Sequence, residues 1–273
     1  GTSAVPNDAG VIGRTAAIQV GGTTGRPGAF PGNVIAGNTH NNVLLDARAS
    51  ESTVAGNLIG LDLAGTSALG GEVGVRVLDD GVTAPAATFH DIMIGGPDES
   101  SRNVIYGDSA AVAVSDLNAQ APATAFLWSN YIGTDITGAI GLGGKTGVVV
   151  EHAAVAIGSA AAIGGATSNL IAGNDIDIQL VGGGGIQGNL IGTNAQGTAA
   201  IGGTPSRIGI HSSEAPVRVN LISGHTGAGI GSAYAIEGNL IGTDLMGTAA
   251  IPNHVGVLLG TSGSLRRNVI SGN

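Results

Sequence analysis

Gly238-Asn239-Leu240-Ile241-Gly242-Thr243-Asp244 recurs through the chain as Gly188-Asn189-Leu190-Ile191-Gly192-Thr193-Asn194, Gly56-Asn57-Leu58-Ile59-Gly60-Leu61-Asp62 and Ser129-Asn130-Tyr131-Ile132-Gly133-Thr134-Asp135. A sister form interleaves with it. Gly32-Asn33-Val34-Ile35-Ala36-Gly37-Asn38 is one copy, and others start at Asn103, Asn169, Asn220 and Asn268. Aligned on these nine Asn, every copy carries Ile two residues later. Three residues before the Asn stands an apolar residue in most copies, such as Val54, Leu127, Ile186, Val217, Ile236 or Leu265. Five residues after it stands Asn38, Asp62, Asp108, Asp135, Asn174, Asn194, His225, Asp244 or Asn273.

The pattern reads as strand, corner, strand. The apolar residue and the Ile face inward by period-two alternation. Asn suits the corner, because it tolerates left-handed backbone and hydrogen-bonds nearby peptide groups. Self-similarity at a short period predicts a solenoid, in which neighbouring units stack to bury a common core. Successive Asn are separated by 24, 46, 27, 39, 20, 31, 19 and 29 residues. The short spacings fit one coil of a three-sided parallel β-helix, and the long ones a coil with an insertion or two coils. A helical solenoid is disfavoured: with 50 Gly in 273 residues, each Gly in a helix costs up to ~1 kcal/mol against Ala, and Val, Ile and Thr at period two prefer sheet.

The Asn-x-Ile-x-Gly-Asn and Gly-Asn-x-Ile-Gly-Thr-Asp repeats resemble those of right-handed parallel β-helix proteins of the pectate-lyase-like superfamily, many of them secreted or surface-anchored bacterial proteins. The resemblance covers roughly residue 17 onward. It implies an all-β fold, a single-stranded right-handed parallel β-helix of roughly nine to eleven coils. At ~4.8 Å per coil this is a rod of ~45–55 Å. Residues 1–16 do not match the repeat and read as an N-terminal arm or cap. Residues 17–273 read as the β-helix, which stops in mid-repeat at Asn273 and is expected either to continue in a longer parent or to present a contact surface for another copy, end to end.

Composition narrows the function. Charged residues make up 11% of the chain and the net charge is −9, so the basic footprint of a nucleic-acid binder is absent. No Cys is present, which leaves stability to stacking and the redox compartment unread. The most apolar stretch, Ala153 to Ala166, is too short to span a membrane and reads as a buried strand pair. Insertions at 78–91 and 115–125 are where such scaffolds place binding loops.

The candidate side chains each admit two readings. The column Asn33, Asn57, Asn103, Asn130, Asn169, Asn189, Asn220, Asn239 and Asn268 reads as an internal hydrogen-bonded ladder rather than a ligand row, since chemistry needs one site and stacking needs a repeated one. Asp62, Asp108 and Asp135 fall on consecutive aligned units and are the candidates for a cation such as Ca²⁺ if they stack directly; otherwise each caps its own turn and no metal or cofactor is implied. His225 and Asp244 share the same column and could pair as acid and base or serve their turns. Asp175 and Asp177 in Asn174-Asp175-Ile176-Asp177-Ile178 lie on one strand face by strict alternation, like the carboxylate pair of the family's glycoside hydrolases, or on a solvated outer face. The other motifs of those hydrolases and the Ca²⁺ cluster of the family's lyases have no match here, so no catalytic residue is carried over. Tyr106, Phe126, Trp128 and Tyr131 sit at outward positions of neighbouring units, as a glycan-stacking patch or a small satellite core. Together these point to a non-catalytic extracellular structural or adhesive module of a surface protein, binding copies of itself or glycans. The alternative is a polysaccharide-active lyase or hydrolase, or a carbohydrate-binding module.

Overall fold

The computed structural model describes residues 6–14, 16–46, 49–79, 91–116, 124–159, 162–259 and 263–273. Most of both expected insertions, and the first five residues of the expected arm, lie outside the described residues. The described chain is almost all β, with one short 3₁₀ turn at Glu99–Ser101. Large parallel sheets dominate and no barrel closes. The arrangement is solenoid-like.

The nine Asn-x-Ile motifs each supply one two-residue strand, and these stack in sequence order into a nine-stranded parallel sheet running from Val34–Ile35 to Val269–Ile270. Ile35 pairs with Ile59, Ile59 with Ile105, and so on to Ile241 with Ile270. A second, 16-stranded sheet carries the other two segments of each repeat. One row holds the strands Asn41–Asp46, Val73–Asp79 and Ala110–Asp116. The other row holds Thr53–Ala55, Ile92–Gly95 and Thr124–Trp128. The two rows fuse where Gly144–Ile157 and Asn174–Gln187 run through both as single long strands. The apolar stretch from Ala153 therefore begins as the end of one long strand, and among the described residues up to Ala166 the second strand of the expected pair is not found.

The core is a column of Val, Ile and Leu from all three rows. Val54, Leu127, Ile186 and Val217 from one row and Ile59, Ile105, Ile132, Ile171, Ile191 and Ile222 from the short-strand sheet are fully buried. Residues before the expected boundary at 16 already belong to the stack: Ala9–Gly13 is a strand in parallel register with Asn41–Leu45.

The two motif forms build two kinds of unit. After each Gly-Thr-Asp form the chain makes a small hairpin, closed by antiparallel bridges at Leu61 and Ala68, Thr134 and Gly141, Thr193 and Ala200, and Thr243 and Ala250. These hairpins stack on one another across the intervening tight unit. Ile136 N–H donates to Gly65 C=O at 2.8 Å, Ala195 N–H to Gly138 C=O at 2.9 Å and Leu245 N–H to Gly197 C=O at 2.9 Å. A hairpin is two strands thick and so fills the height of two coils, which explains why the two forms alternate.

Candidate functional site

The nine motif Asn form one continuous column. From Asn33 to Asn239, each side chain's Nδ2 donates to the Oδ1 of the Asn in the next unit, and each backbone N–H does the same. For Asn189 the distances are 3.1 Å and 3.0 Å to Asn220, while its own Oδ1 accepts from Asn169 at 2.9 Å and 3.1 Å. The amide also donates to a strand carbonyl of another unit: Asn103 to Val54, Asn130 to Ile94, Asn189 to Ile157. One side chain thus satisfies the backbone of three segments at a corner that no sheet ladder reaches. All members between Asn57 and Asn239 have no exposed surface. The column uses its polar atoms on itself.

The position five residues after the motif Asn divides by unit type. In the hairpin units it caps the hairpin. Asp62 Oδ1 accepts from Thr66 N–H at 2.8 Å and Ser67 N–H at 3.1 Å. Asp135 does so from Ala139 and Ile140, both at 3.1 Å, and from the Thr137 hydroxyl at 2.7 Å. Asn194 and Asp244 repeat the arrangement. Burial is the largest single influence on the Asp62 carboxyl and raises it, but the Thr66, Ser67 and Gly65 donors together outweigh it and hold the group below the usual carboxylate range. The Ala249 and Thr248 donors do the same for Asp244. Asp108 belongs to a tight unit, is exposed and caps no such hairpin. Asp62 and Asp135 therefore spend their carboxyl oxygens on their own hairpins, and Asp108 does not join them in a three-carboxylate set. Among the described residues no group of three or more His, Asp or Glu is placed to hold a metal ion.

In three tight units the same position, Asn38, Asn174 and His225, is buried, and beside the last of these lies the most unusual feature of the molecule. Asp177 and His225 are both wholly buried, with Nε2 of the imidazole 3.0 Å from Oδ2 of the carboxyl. The other carboxyl oxygen accepts from Asn174 Nδ2 at 3.0 Å and Ser206 Oγ at 2.8 Å. His225 Nδ1 lies 2.8 Å from Asn253 Oδ1, which also accepts the His225 backbone N–H at 3.1 Å. Burial pushes the Asp177 carboxyl above the usual range, against the pull of His225, Asn174 and Ser206. Room for the pair comes from missing side chains. Asp177 takes the register position held by Gly147 and Gly209 on the adjoining strands. A Cβ at Gly209 would come within 2.8 Å of His225 Nε2, and one at Gly192 would overlap the ring.

Two expectations are corrected by this geometry. His225 pairs with Asp177 and not with Asp244, whose carboxyl is taken up by its own turn. Asp175 and Asp177 do not share a face. Asp175 is on the outside, in a two-pronged ion pair with Arg207 at 2.7 and 2.9 Å, which holds its carboxyl below the usual range. Asp177 is in the core, because the chain bends into its corner there and Ile178 is buried beside it. A hydrolase-like pair of free carboxyls is therefore not formed by these two residues.

The four aromatic residues also separate. Tyr106 is buried in a side cluster with Leu58, Leu61 and Val104, and Tyr131, Ile136 and Leu142 pack against it. The hairpins cover this side of the short-strand sheet. Burial, followed by the charge of Asp108 and a hydrogen bond to it, pushes the Tyr106 phenol up to about 12. The guanidinium of Arg102 lies over the Tyr131 ring, 4.2 Å from its centre. Phe126 and Trp128 share one face of their strand and meet edge to face with centres 5.4 Å apart. Both are half-buried.

A hollow of about 310 Å³ on the outer face of the long-strand row was not foreseen. Its floor includes Val73, Ala110, Ala113 and Val149, and Arg76, Lys145 and Glu151 stand around it. Small Ala side chains on an outer strand face were the available signal. Arg76 Nε donates to Asn41 Oδ1 at 2.9 Å, and Ser115 Oγ donates to Glu151 at 3.3 Å.

Comparison with protein-family models, curated proteins and solved structures returned no match. Among the described residues no helix is long and apolar enough to cross a membrane.

Proposed function

We propose that this chain is a non-catalytic structural or adhesive module of a secreted or surface protein, built as a right-handed parallel β-helix of roughly nine to eleven coils. The observation that carries this reading is the fate of its repeated polar side chains. The Asn column bonds to itself, Asp62, Asp135 and Asp244 close their own turns, Asp175 is held by Arg207, and Asp177 is buried against His225. Groups so engaged stabilise a rod and are poorly placed to hold a substrate or move its protons. The extracellular setting rests on the resemblance of the repeats to secreted bacterial β-helix proteins. The hollow beside Arg76, Lys145 and Glu151 offers such a module a polar-rimmed surface for adhesion.

The test is incubation with a panel of acidic and neutral polysaccharides, with detection of reducing ends and of unsaturated products, beside a glycan array. No turnover is expected on any polymer. Product that accumulates with wild type and is lost in the Asp175→Asn variant would replace this reading by that of a polysaccharide-active enzyme. Binding on the array without turnover would specify the adhesive role.

A further inference from the structure

Asp177 and His225 form a buried pair whose hydrogen-bond partners decide where protons can sit. The decisive residue is Asn253. Its Nδ2 donates to Ile222 C=O at 3.1 Å and to Asn273 Oδ1 at 2.7 Å, which fixes the orientation of the amide. Its Oδ1 therefore faces His225 Nδ1, and an amide oxygen can only accept. Nδ1 must carry a hydrogen. The other ring nitrogen, Nε2, is 3.0 Å from Asp177 Oδ2. If the carboxyl were ionised and the imidazole neutral, two lone pairs would face each other there with no water to separate them. A second hydrogen must lie between Nε2 and Oδ2, on one atom or the other.

We infer that Asp177 and His225 hold one shared proton in the folded chain at neutral pH, and that this makes the stability of the coil stack pH-dependent, strongest in mild acid and falling toward alkali. The surroundings leave the pair to itself. Asn174 from the same strand, Ser206 from the loop before Ile208–Ser212, and Asn253 from the loop before Val255–Val257 are uncharged. Asp175 is one residue removed from Asn174 but is outside, tied to Arg207. Among the described residues His225 is the one charged group that acts on Asp177. His254, next to Asn253, is exposed.

The direction follows from counting protons. In the unfolded chain the carboxyl is ionised above about 3.9 and the imidazole loses its proton above about 6.5. Between those values the unfolded pair holds one proton, as the folded pair does, and folding is indifferent to pH. Above about 6.5 the unfolded pair holds none, so folding takes up a proton. The folding constant then falls about tenfold per pH unit, or ~1.4 kcal/mol, until the folded pair itself gives up its proton. The raised Asp177 carboxyl has the same sign, since a folded-state value above the unfolded one gives stability that is lost as pH rises through the folded value.

Urea unfolding of the whole chain at pH 6, 7, 8 and 9 tests this, in wild type and in Asp177→Asn. An amide at 177 can donate to Nε2 while its oxygen keeps the Asn174 and Ser206 bonds, so every contact survives with a neutral imidazole and no shared proton. Wild type should lose stability about tenfold per unit above pH 6.5, and the variant should be flatter by one proton. Equal slopes in the two proteins would overturn the inference. Should the variant fail to fold, proton release on unfolding of wild type at pH 8, read with an indicator dye, decides. About one proton is expected from the pair, and less than half a proton in total would refute it.

Discussion

Replacing Asn189 and Asn33 by Ala, one at a time, sets the same substitution at an inner and an outer rung of one column. Asn189 is fully buried. Its loss removes the acceptor of the Asn169 N–H and Nδ2 and the amide that donates to Ile157 C=O at 2.8 Å. Asn169 Nδ2 keeps its bond to Leu127 C=O, so the groups newly stranded are chiefly the Asn169 N–H and the Ile157 carbonyl. Each buried group left without a partner costs roughly 1–3 kcal/mol. Water entering the space left by the amide recovers part of that, which places the loss at about 3 kcal/mol. This is a large share of a net stability of roughly 5–15 kcal/mol. Asn33 is exposed and, within the column, only donates to Asn57, at 2.9 Å from its N–H and 3.0 Å from its Nδ2. Its backbone bond survives truncation, so Asn33→Ala should cost less than about 1 kcal/mol. Urea unfolding at pH 6, followed by Trp128 fluorescence and far-ultraviolet dichroism, gives both numbers from midpoint and slope. Costs equal within about 0.5 kcal/mol would show that the Asn act as independent turn residues, and the argument from a self-satisfied column would fail. Asn189→Asp should be worse than Ala, since it turns a carboxyl oxygen toward the carbonyls of Ile157 and Gln187.

The turn caps give two further tests. Asp135→Ala should cost about 1 kcal/mol, since two backbone N–H groups of a partly exposed hairpin lose their buried acceptor; a loss too small to detect by urea unfolding would reassign those donors to solvent. Asp62, Asp175 and Asp244 are held below the usual carboxylate range, so their contribution is present above about pH 4 and is lost as pH falls through their lower folded values. Acid unfolding should therefore become shallower in Asp62→Asn and Asp244→Asn, and an unchanged acid limb in both would contradict the assignment. Millimolar Ca²⁺ should raise the melting temperature by no more than a few degrees over Mg²⁺, because the Asp62 and Asp135 oxygens already serve their own turns; a larger rise would identify a carboxylate site that these turns open to metal.

Stacking makes part of this molecule legible from residues alone. A solenoid imposes the same demand at every coil, so the corner Asn and the inward Ile recur until their meaning is plain. The position five residues later looked like one column because all its members are polar. It is two columns, since Asp62, Asp135, Asn194 and Asp244 cap their own hairpins while Asn174 and His225 are buried against Asp177. Local spacing cannot separate these, because the difference lies in whether the chain closes a hairpin against another hairpin two units away. The two readings of the aromatic residues could not be separated for the same reason: Tyr106 has an outward position on its own strand and is then covered by neighbouring turns in a small side cluster.

Asp177 shows what a sharper reading of the same sequence would use. Strict alternation put it beside Asp175. Aligning the strand starts instead gives Val73-Gly74-Val75, Ile208-Gly209-Ile210 and Val255-Gly256-Val257, with Asn41-Asn42-Val43 and Ile176-Asp177-Ile178 as the two polar departures. A column mostly of Gly between apolar residues marks an inward-facing position with little space for a side chain, and its other polar member, Asn42, is fully buried. A carboxyl placed in such a column is buried, and a buried carboxyl needs a partner that brings a proton or a positive charge. His225, standing where the tight units on either side have Asn174 and Asn273, is the one departure nearby that can supply it. Each substitution alone would strand a polar group in the core, and the glycines at 192 and 209 leave the space that lets the two meet. The pair therefore reads as a single change to the repeat, made at two positions 48 residues apart.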